Sequence, residues 1–112
     1  MSGISTHVLD TSRGMPGADL RVVLERDAGG WQRLSERRTD ADGRVKNLLP
    51  DGAVIERATY RLTFETEAYF AKNGVVTFFP SVSVVFRVTD TARHHHVPLL
   101  VSPFGYSTYR GT

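Results

Sequence analysis

The 112-residue chain has no cysteine, which removes disulfide stapling, thiolate metal sites and a cysteine nucleophile from consideration. It also has very little net charge: 14 Lys and Arg stand against 12 Asp and Glu. So small a surplus cannot drive binding to nucleic acid by counterion release. The arginines are scattered as well, with Arg37 and Arg38 the only adjacent pair. No nucleic-acid partner is expected. No apolar run approaches the length of a membrane span, so no membrane partner is expected either. The opening MSGISTHVLD lacks a basic stretch followed by an apolar one, and the closing YRGT is not a peroxisomal address. The expectation is a cytoplasmic protein.

What is present is the composition of a globular domain: 40% hydrophobic and 23% charged residues. Its length suits a single domain over 1–112. The apolar residues recur mostly with period two, the signature of half-buried strands. Ile4, Thr6 and Val8 fall on one face of the first strand, with Ser5, His7 and Leu9 on the other. Leu20, Val22 and Leu24 repeat the pattern, then Tyr60, Leu62 and Phe64, then Val82, Val84, Phe86 and Val88. Gly29-Gly30 marks a hairpin leading to a weaker strand at Trp31 to Arg38, and Asp42-Gly43 a turn into a run at Arg44 to Leu48. The alternation breaks at TEAYFAKNG, which reads as one short helix with Thr66 as its N-cap and Asn73-Gly74 as its left-handed stop. Two closing strands are expected at His94 to Val101 and Gly105 to Arg110, the first at an edge or interrupted at Pro98. Many short strands with regular turn signals indicate an all-β sandwich.

Four features can carry chemistry: His7, Arg44, the run His94-His95-His96, and the terminal YRGT. Strand alternation puts His94 and His96 on one face and His95 on the other. A histidine pair of this kind can join a metal site if His7 or a carboxylate supplies further ligands, or it can simply be polar surface on a strand. Asp40-Ala41-Asp42-Gly43 is superficially calcium-like, but its glycine falls too early and no Glu follows at the twelfth position. A hairpin turn is expected there. Arg44 gains a function only with partners, as a guanidinium that binds an oxygen-rich substrate and stabilises an oxyanion. The aromatic and small-polar run Phe104, Tyr106, Ser107, Thr108, Tyr109 suits a subunit interface.

Three blocks carry a resemblance to a known family: STHVLDTSRGMPGADLRVVLER, then TDADGRVKNLLP with YRLTFETEAYFAKNGVVTFFPSVSVVF, and HHHVPLLVSPFGYSTYRGT. Together they resemble the transthyretin-like family, and within it the 5-hydroxyisourate hydrolase branch, over almost the whole chain. The resemblance implies a transthyretin-like sandwich of two four-stranded sheets with one short helix, assembled as a homotetramer (a dimer of dimers) with active sites where dimers meet. It implies hydrolytic opening of 5-hydroxyisourate, a product of urate oxidation, with no metal and no cofactor. Carried over residue by residue, it gives His7, Arg44, His96 and Thr112 catalytic roles, and it gives Arg44, Tyr109, Arg110 and Gly111 contacts to substrate. The histidines would move protons and position water, Arg44 would hold substrate and oxyanion, and Thr112 would orient water or an imidazole through its hydroxyl or an α-carboxylate. Thr112 departs from the family's serine by one methyl group, and His95 stands where tyrosine is common.

Three rivals remain at this stage. One is a non-catalytic, transthyretin-like carrier of small ligands. A second is a metal-dependent hydrolase built on the same histidines, and a third is a catalytically silent relative.

Overall fold

The computed structural model describes residues 2–112. Ten strands and one helix follow in the order β1 (Ile4–Asp10), β2 (Met15–Pro16), β3 (Arg21–Asp27), β4 (Trp31–Arg38), β5 (Arg44–Val45), β6 (Ala58–Phe64), α1 (Thr66–Ala71), β7 (Val82–Val88), β8 (His95–His96), β9 (Leu99–Ser102) and β10 (Gly105–Thr108). They form two sheets. One is antiparallel, in the order β4-β3-β6-β7. The other runs β10-β9-β1-β2, with β5 and β8 also paired to β1.

The all-β sandwich with a single short helix is therefore as expected, but the second sheet is not a plain four-stranded one. Pro98 explains part of the difference. It has no N–H to give a ladder, and the expected strand from His94 to Val101 is cut into β8 and β9 on either side of Val97-Pro98. Both pieces run parallel to β1, pairing Ser5 with His96 and Val8 with Leu99. The expected run from Arg44 to Leu48 shrinks to two residues for a similar reason. Beyond Val45 the side-chain Oδ1 of Asn47, rather than a backbone carbonyl, accepts from the Ile4 N–H at 3.4 Å. The last strand stops at Thr108, short of the expected Arg110.

The two sheets meet through their period-two apolar faces. Ile4 and Val8 of β1 and Leu99 and Val101 of β9 are buried against Val22 and Leu24 of β3, Tyr60, Leu62 and Phe64 of β6, and Val82 and Val88 of β7. Burying side chains of this size contributes roughly 1.5–3 kcal/mol each, which makes these faces the main stabilising feature of the fold.

Two members of the β1 core face are polar, Thr6 and Asp10. Asp10 occupies the fourth inward position, and its carboxylate is closed in by Ser12 Oγ at 2.6 Å, Tyr69 Oη at 2.8 Å and Arg13 Nε at 3.1 Å. Tyr69 comes from α1, so this cluster ties the helix to the end of β1. The helix begins differently from expectation. Thr66 is its first residue and not its cap: Glu65 holds the N-cap position without a side-chain bond, and the buried Thr66 hydroxyl has no partner among the described residues. The Glu65 N–H is already donated to the Arg21 carbonyl at 3.0 Å, so the β3–β6 ladder runs directly into the helix. Its end is as expected, with Gly74 at φ +69°.

Candidate functional site

The outward face of β1 carries Ser5 and His7, and both neighbours of β1 at this end are two-residue strands. On one side β5 places Arg44 opposite His7 and Val45 opposite Thr6. On the other side β8 places His96 opposite Ser5 and His95 opposite Ile4. Alternation then sorts the side chains: Ser5, His7, Arg44, His94 and His96 share the outer face, while His95 joins Ile4 on the core side and is buried.

Arg44 is aimed by the turn before it. Asp40 Oδ1 accepts from the N–H groups of Asp42 and Arg44, each at 2.9 Å, and the Gly43 N–H donates to the Asp40 carbonyl at 2.9 Å. The Arg44 N–H is the leading cause of the low pKa of Asp40. This is a side-chain-closed turn in which the Asp40 carboxylate serves the backbone, and in place of the expected hairpin it joins β4 of one sheet to β5 of the other. Gly43 adopts φ +76°, and a Cβ there would collide with the Val8 carbonyl. The Gly43 carbonyl in turn accepts from the Val8 N–H at 2.7 Å, which docks the turn onto β1 and fixes the Arg44–His7 register.

His7 is held by the same turn. Its Nε2 lies 3.0 Å from the Asp42 carbonyl oxygen. A carbonyl only accepts, so Nε2 carries the hydrogen, and in neutral His7 the lone pair is on Nδ1. His96 is held by Ser5, whose Oγ is 2.7 Å from His96 Nδ1 and 2.7 Å from His94 Nε2. Burial pushes the pKa of His96 down, and the nearby positive charge of Arg44 and the imidazoles of His7 and His94 push it further. His96 is therefore neutral at pH 7 and able to accept a proton.

The chain's last residues reach this place through one backbone contact. After β10 the segment runs back along β8, and the Gly111 N–H donates to the His96 carbonyl at 2.8 Å. Gly111 has to lack a side chain, since a Cβ would collide with the His96 ring. Thr112 is thereby delivered to a cleft of about 320 Å³ that also holds Ser5, Arg44, Lys46, His94 and His96. Its side chains give hydroxyl oxygens, two cations and two imidazoles, a set suited to a small, planar, oxygen-rich substrate with an attacking water.

The expected site residues are thus only partly gathered in one place. Arg44, His96 and Thr112 line the cleft, and His7 does not, although it stands cross-strand from Arg44. Gly111 packs on the His96 ring. Tyr109 and Arg110 fall elsewhere, in a neighbouring apolar groove of about 250 Å³ that they share with Val84, Phe86, His95 and His96. His96 is the wall common to both. Ser5 and Lys46 were passed over in the sequence, although alternation already placed Ser5 with His7, and the same rule places Lys46 with Arg44. His94 was placed on the His96 face but given no part.

The histidine run does not gather as a metal centre. The facing nitrogens of His94 and His96 are both turned onto one hydroxyl, and among the described residues no three His, Asp or Glu side chains are grouped to hold an ion. Nor is any helix among the described residues long and apolar enough to cross a membrane.

Comparison with known proteins places the chain. A 5-hydroxyisourate hydrolase of Salmonella typhimurium is 44% identical over 110 residues, covering 97% of this chain and 80% of the relative. The structure of a Klebsiella pneumoniae 5-hydroxyisourate hydrolase superposes with a TM-score of 0.87 at 36% identity, covering 99% of this chain and all of that one. A sea bream transthyretin, solved in complex with thyroxine, superposes as well, with a TM-score of 0.89 at 30% identity over 97% of this chain and 94% of that one. Backbone shape alone therefore does not separate hydrolase from carrier. The family model described as HIUase/Transthyretin matches residues 4–111, and the chain belongs to that family.

Proposed function

We propose that the protein is a 5-hydroxyisourate hydrolase acting in urate breakdown. The observation that carries this reading is the convergence of Arg44, His96, Ser5 and Thr112 on one cleft, with His7 held in register beside Arg44. A carrier of apolar ligands has no use for two cations and a hydrogen-bonded imidazole pair, and the fold it would share is common to both branches.

The chemistry is an amide hydrolysis within a ring. A water oxygen bonds to a ring carbonyl carbon, one of its protons passes to an imidazole, and the carbonyl π electrons move onto oxygen. Collapse of that oxyanion breaks the ring C–N bond, and the departing nitrogen takes up a proton. His96, neutral and half-buried, is suited to accept the first proton, and the Nδ1 lone pair of His7 is a second acceptor. Arg44 is suited to hold substrate oxygens and the oxyanion, where a preorganised cation acts without reorganisation. Thr112 stands where its hydroxyl can orient water. Tyr109 and Arg110 belong to the adjoining groove and serve substrate only through the His96 wall or a second subunit.

A second subunit is part of the reading. The strands β7 and β10 end their respective sheets, so both present unpaired edges. Val85 on β7 is exposed, as are Phe104, Tyr106 and Tyr109 on and around β10. Edge pairing there would cover apolar surface beside the groove that holds Tyr109 and Arg110, and a dimer of such dimers is the homotetramer proposed. The test is decay of the ultraviolet absorbance of freshly generated 5-hydroxyisourate. Acceleration over the spontaneous rate is expected at micromolar protein, unaffected by a chelator. A spontaneous rate would overturn the reading and leave the carrier alternative.

A further inference from the structure

The hydroxyl of Ser5 has one proton and two imidazole neighbours. Its Oγ is 2.7 Å from His96 Nδ1 and 2.7 Å from His94 Nε2, so it donates to one ring and accepts an N–H from the other. A hydroxyl placed only to satisfy the fold looks different here. Thr6, the next residue, gives its Oγ1 proton to the Val97 backbone carbonyl at 2.6 Å and is finished. Ser5 instead joins a half-buried histidine at the cleft to an exposed one at the rim.

We infer that His96, Ser5 and His94 form a proton relay, in which Ser5 sets the tautomer of His96 and His94 holds the proton that His96 takes from water. This rests on the hydrolase reading and assigns positioning roles to Ser5 and His94. In the resting arrangement His94 carries hydrogen on Nδ1, Ser5 Oγ–H donates to His94 Nε2, and His96 Nδ1–H donates to Ser5 Oγ. The free lone pair of His96 is then on Nε2, the ring nitrogen that Ser5 does not occupy. When water attacks, its proton goes to His96 Nε2, the Nδ1 proton of His96 goes to Ser5 Oγ, and the Ser5 proton goes to His94 Nε2. One proton has entered and His94 has become the cation, while His96, whose charged form burial and the Arg44 guanidinium disfavour, is neutral again. On collapse of the intermediate the sequence reverses, and His96 Nε2 returns a proton to the departing ring nitrogen. No outside acid or base is consumed.

The arrangement also makes a statement about pH. If His94 is protonated before substrate arrives, Nε2 must donate to Ser5, Ser5 must donate to His96 Nδ1, and neutral His96 is left with hydrogen on Nε2. It is then no longer a base. Other charges facing His96 come from Arg44 and Lys46 on the β5 side and His7 on β1, with Thr112 across the cleft. Arg44 and His7 act on His96 through space, so the relay is recognised by its dependence on the Ser5 hydroxyl and not by a pH shift as such.

Nitrogen-15 NMR of the substrate-free protein tests the coupling without reference to activity. In the wild type, the His96 tautomer should switch from hydrogen on Nδ1 to hydrogen on Nε2 as His94 is protonated. In Ser5→Ala, the His96 tautomer should no longer follow the protonation of His94. Kinetics test the role: Ser5→Ala should lower kcat by roughly tenfold to a hundredfold at nearly constant KM, as expected for losing an aligned proton acceptor. His94→Gly should lose a similar factor and regain most of it with millimolar imidazole, whereas Ser5→Ala should not respond. Wild-type kcat in Ser5→Ala, or His96 titrating alike with and without the hydroxyl, would overturn the relay even in a fully active hydrolase.

Discussion

Strand β1 carries a polar cluster on each face, and the two are built to opposite ends. On the inward face Asp10 is surrounded: Ser12, Tyr69 and Arg13 all donate to its carboxylate, and its side chain is fully buried. Burial acts to raise its pKa, but the three donors together outweigh burial and the pKa lies below the ordinary carboxylate value. On the outward face Ser5 and His7 sit among partners that leave ring nitrogens unused. The first cluster is closed and has no proton to exchange. The second is left open where a substrate and a water can complete it, which is what separates a structural polar group from a chemical one.

The largest expected separation comes from the open cluster. Replacing His96, His7 or Arg44 by alanine should lower kcat/KM by roughly a hundredfold to ten-thousandfold, with the thermal midpoint nearly unchanged, because these side chains add little to the core. Asp10→Ala should do the reverse. It removes the acceptor of the Tyr69 hydroxyl and the carboxylate partner of Arg13 and should cost about 3 kcal/mol of stability, measured by urea unfolding, while the folded fraction keeps its turnover. A catalytic loss in Asp10→Ala at full folding would erase the distinction.

Titration sharpens the contrast further. The native pKa of Asp10 is depressed below its unfolded value of about 3.9, so its contribution is complete above that value and is lost as the pH falls through the native pKa. The stability difference between wild type and Asp10→Asn should therefore be constant at neutral pH and close only in strong acid. His96 is also depressed, but here the neutral form is the active one, so kcat/KM, which reports the free enzyme, should fall on the acid side. The smaller effects belong to the terminus. Gly111→Ala forces the His96 ring aside and should cost about tenfold in kcat, and a tag appended after Thr112 should reduce turnover by less than that.

Much of this was legible in the chain. Period-two alternation is a local property, so it gave β1, β3, β6 and β7 and sorted His94 and His96 from His95. Turn chemistry gave the Gly74 stop and a turn at Asp42-Gly43, though that turn crosses from β4 of one sheet to β5 of the other and closes no hairpin. The breaks were less visible, because they depend on which backbone group a distant side chain replaces: Asn47 ended β5, and the ladder to Arg21 displaced the expected Thr66 cap. Ser5 and Lys46 went unnoticed for a related reason. A serine next to a threonine has no signal of its own, and only the parallel pairing of β8 with β1 brings His94 and His96 onto its hydroxyl. Tyr109 and Arg110 were expected beside Thr112, yet they line the groove on β7 while Thr112 lines the cleft, and only His96 borders both.

The central claim is that the outward face of β1 opens 5-hydroxyisourate and the inward face only holds the fold. The most direct measurement compares absorbance decay of fresh 5-hydroxyisourate with wild type, His96→Ala and Asp10→Asn at equal concentrations of folded protein. The account predicts fast decay with wild type and Asp10→Asn, and near-spontaneous decay with His96→Ala. Equal decay with wild type and His96→Ala would contradict it.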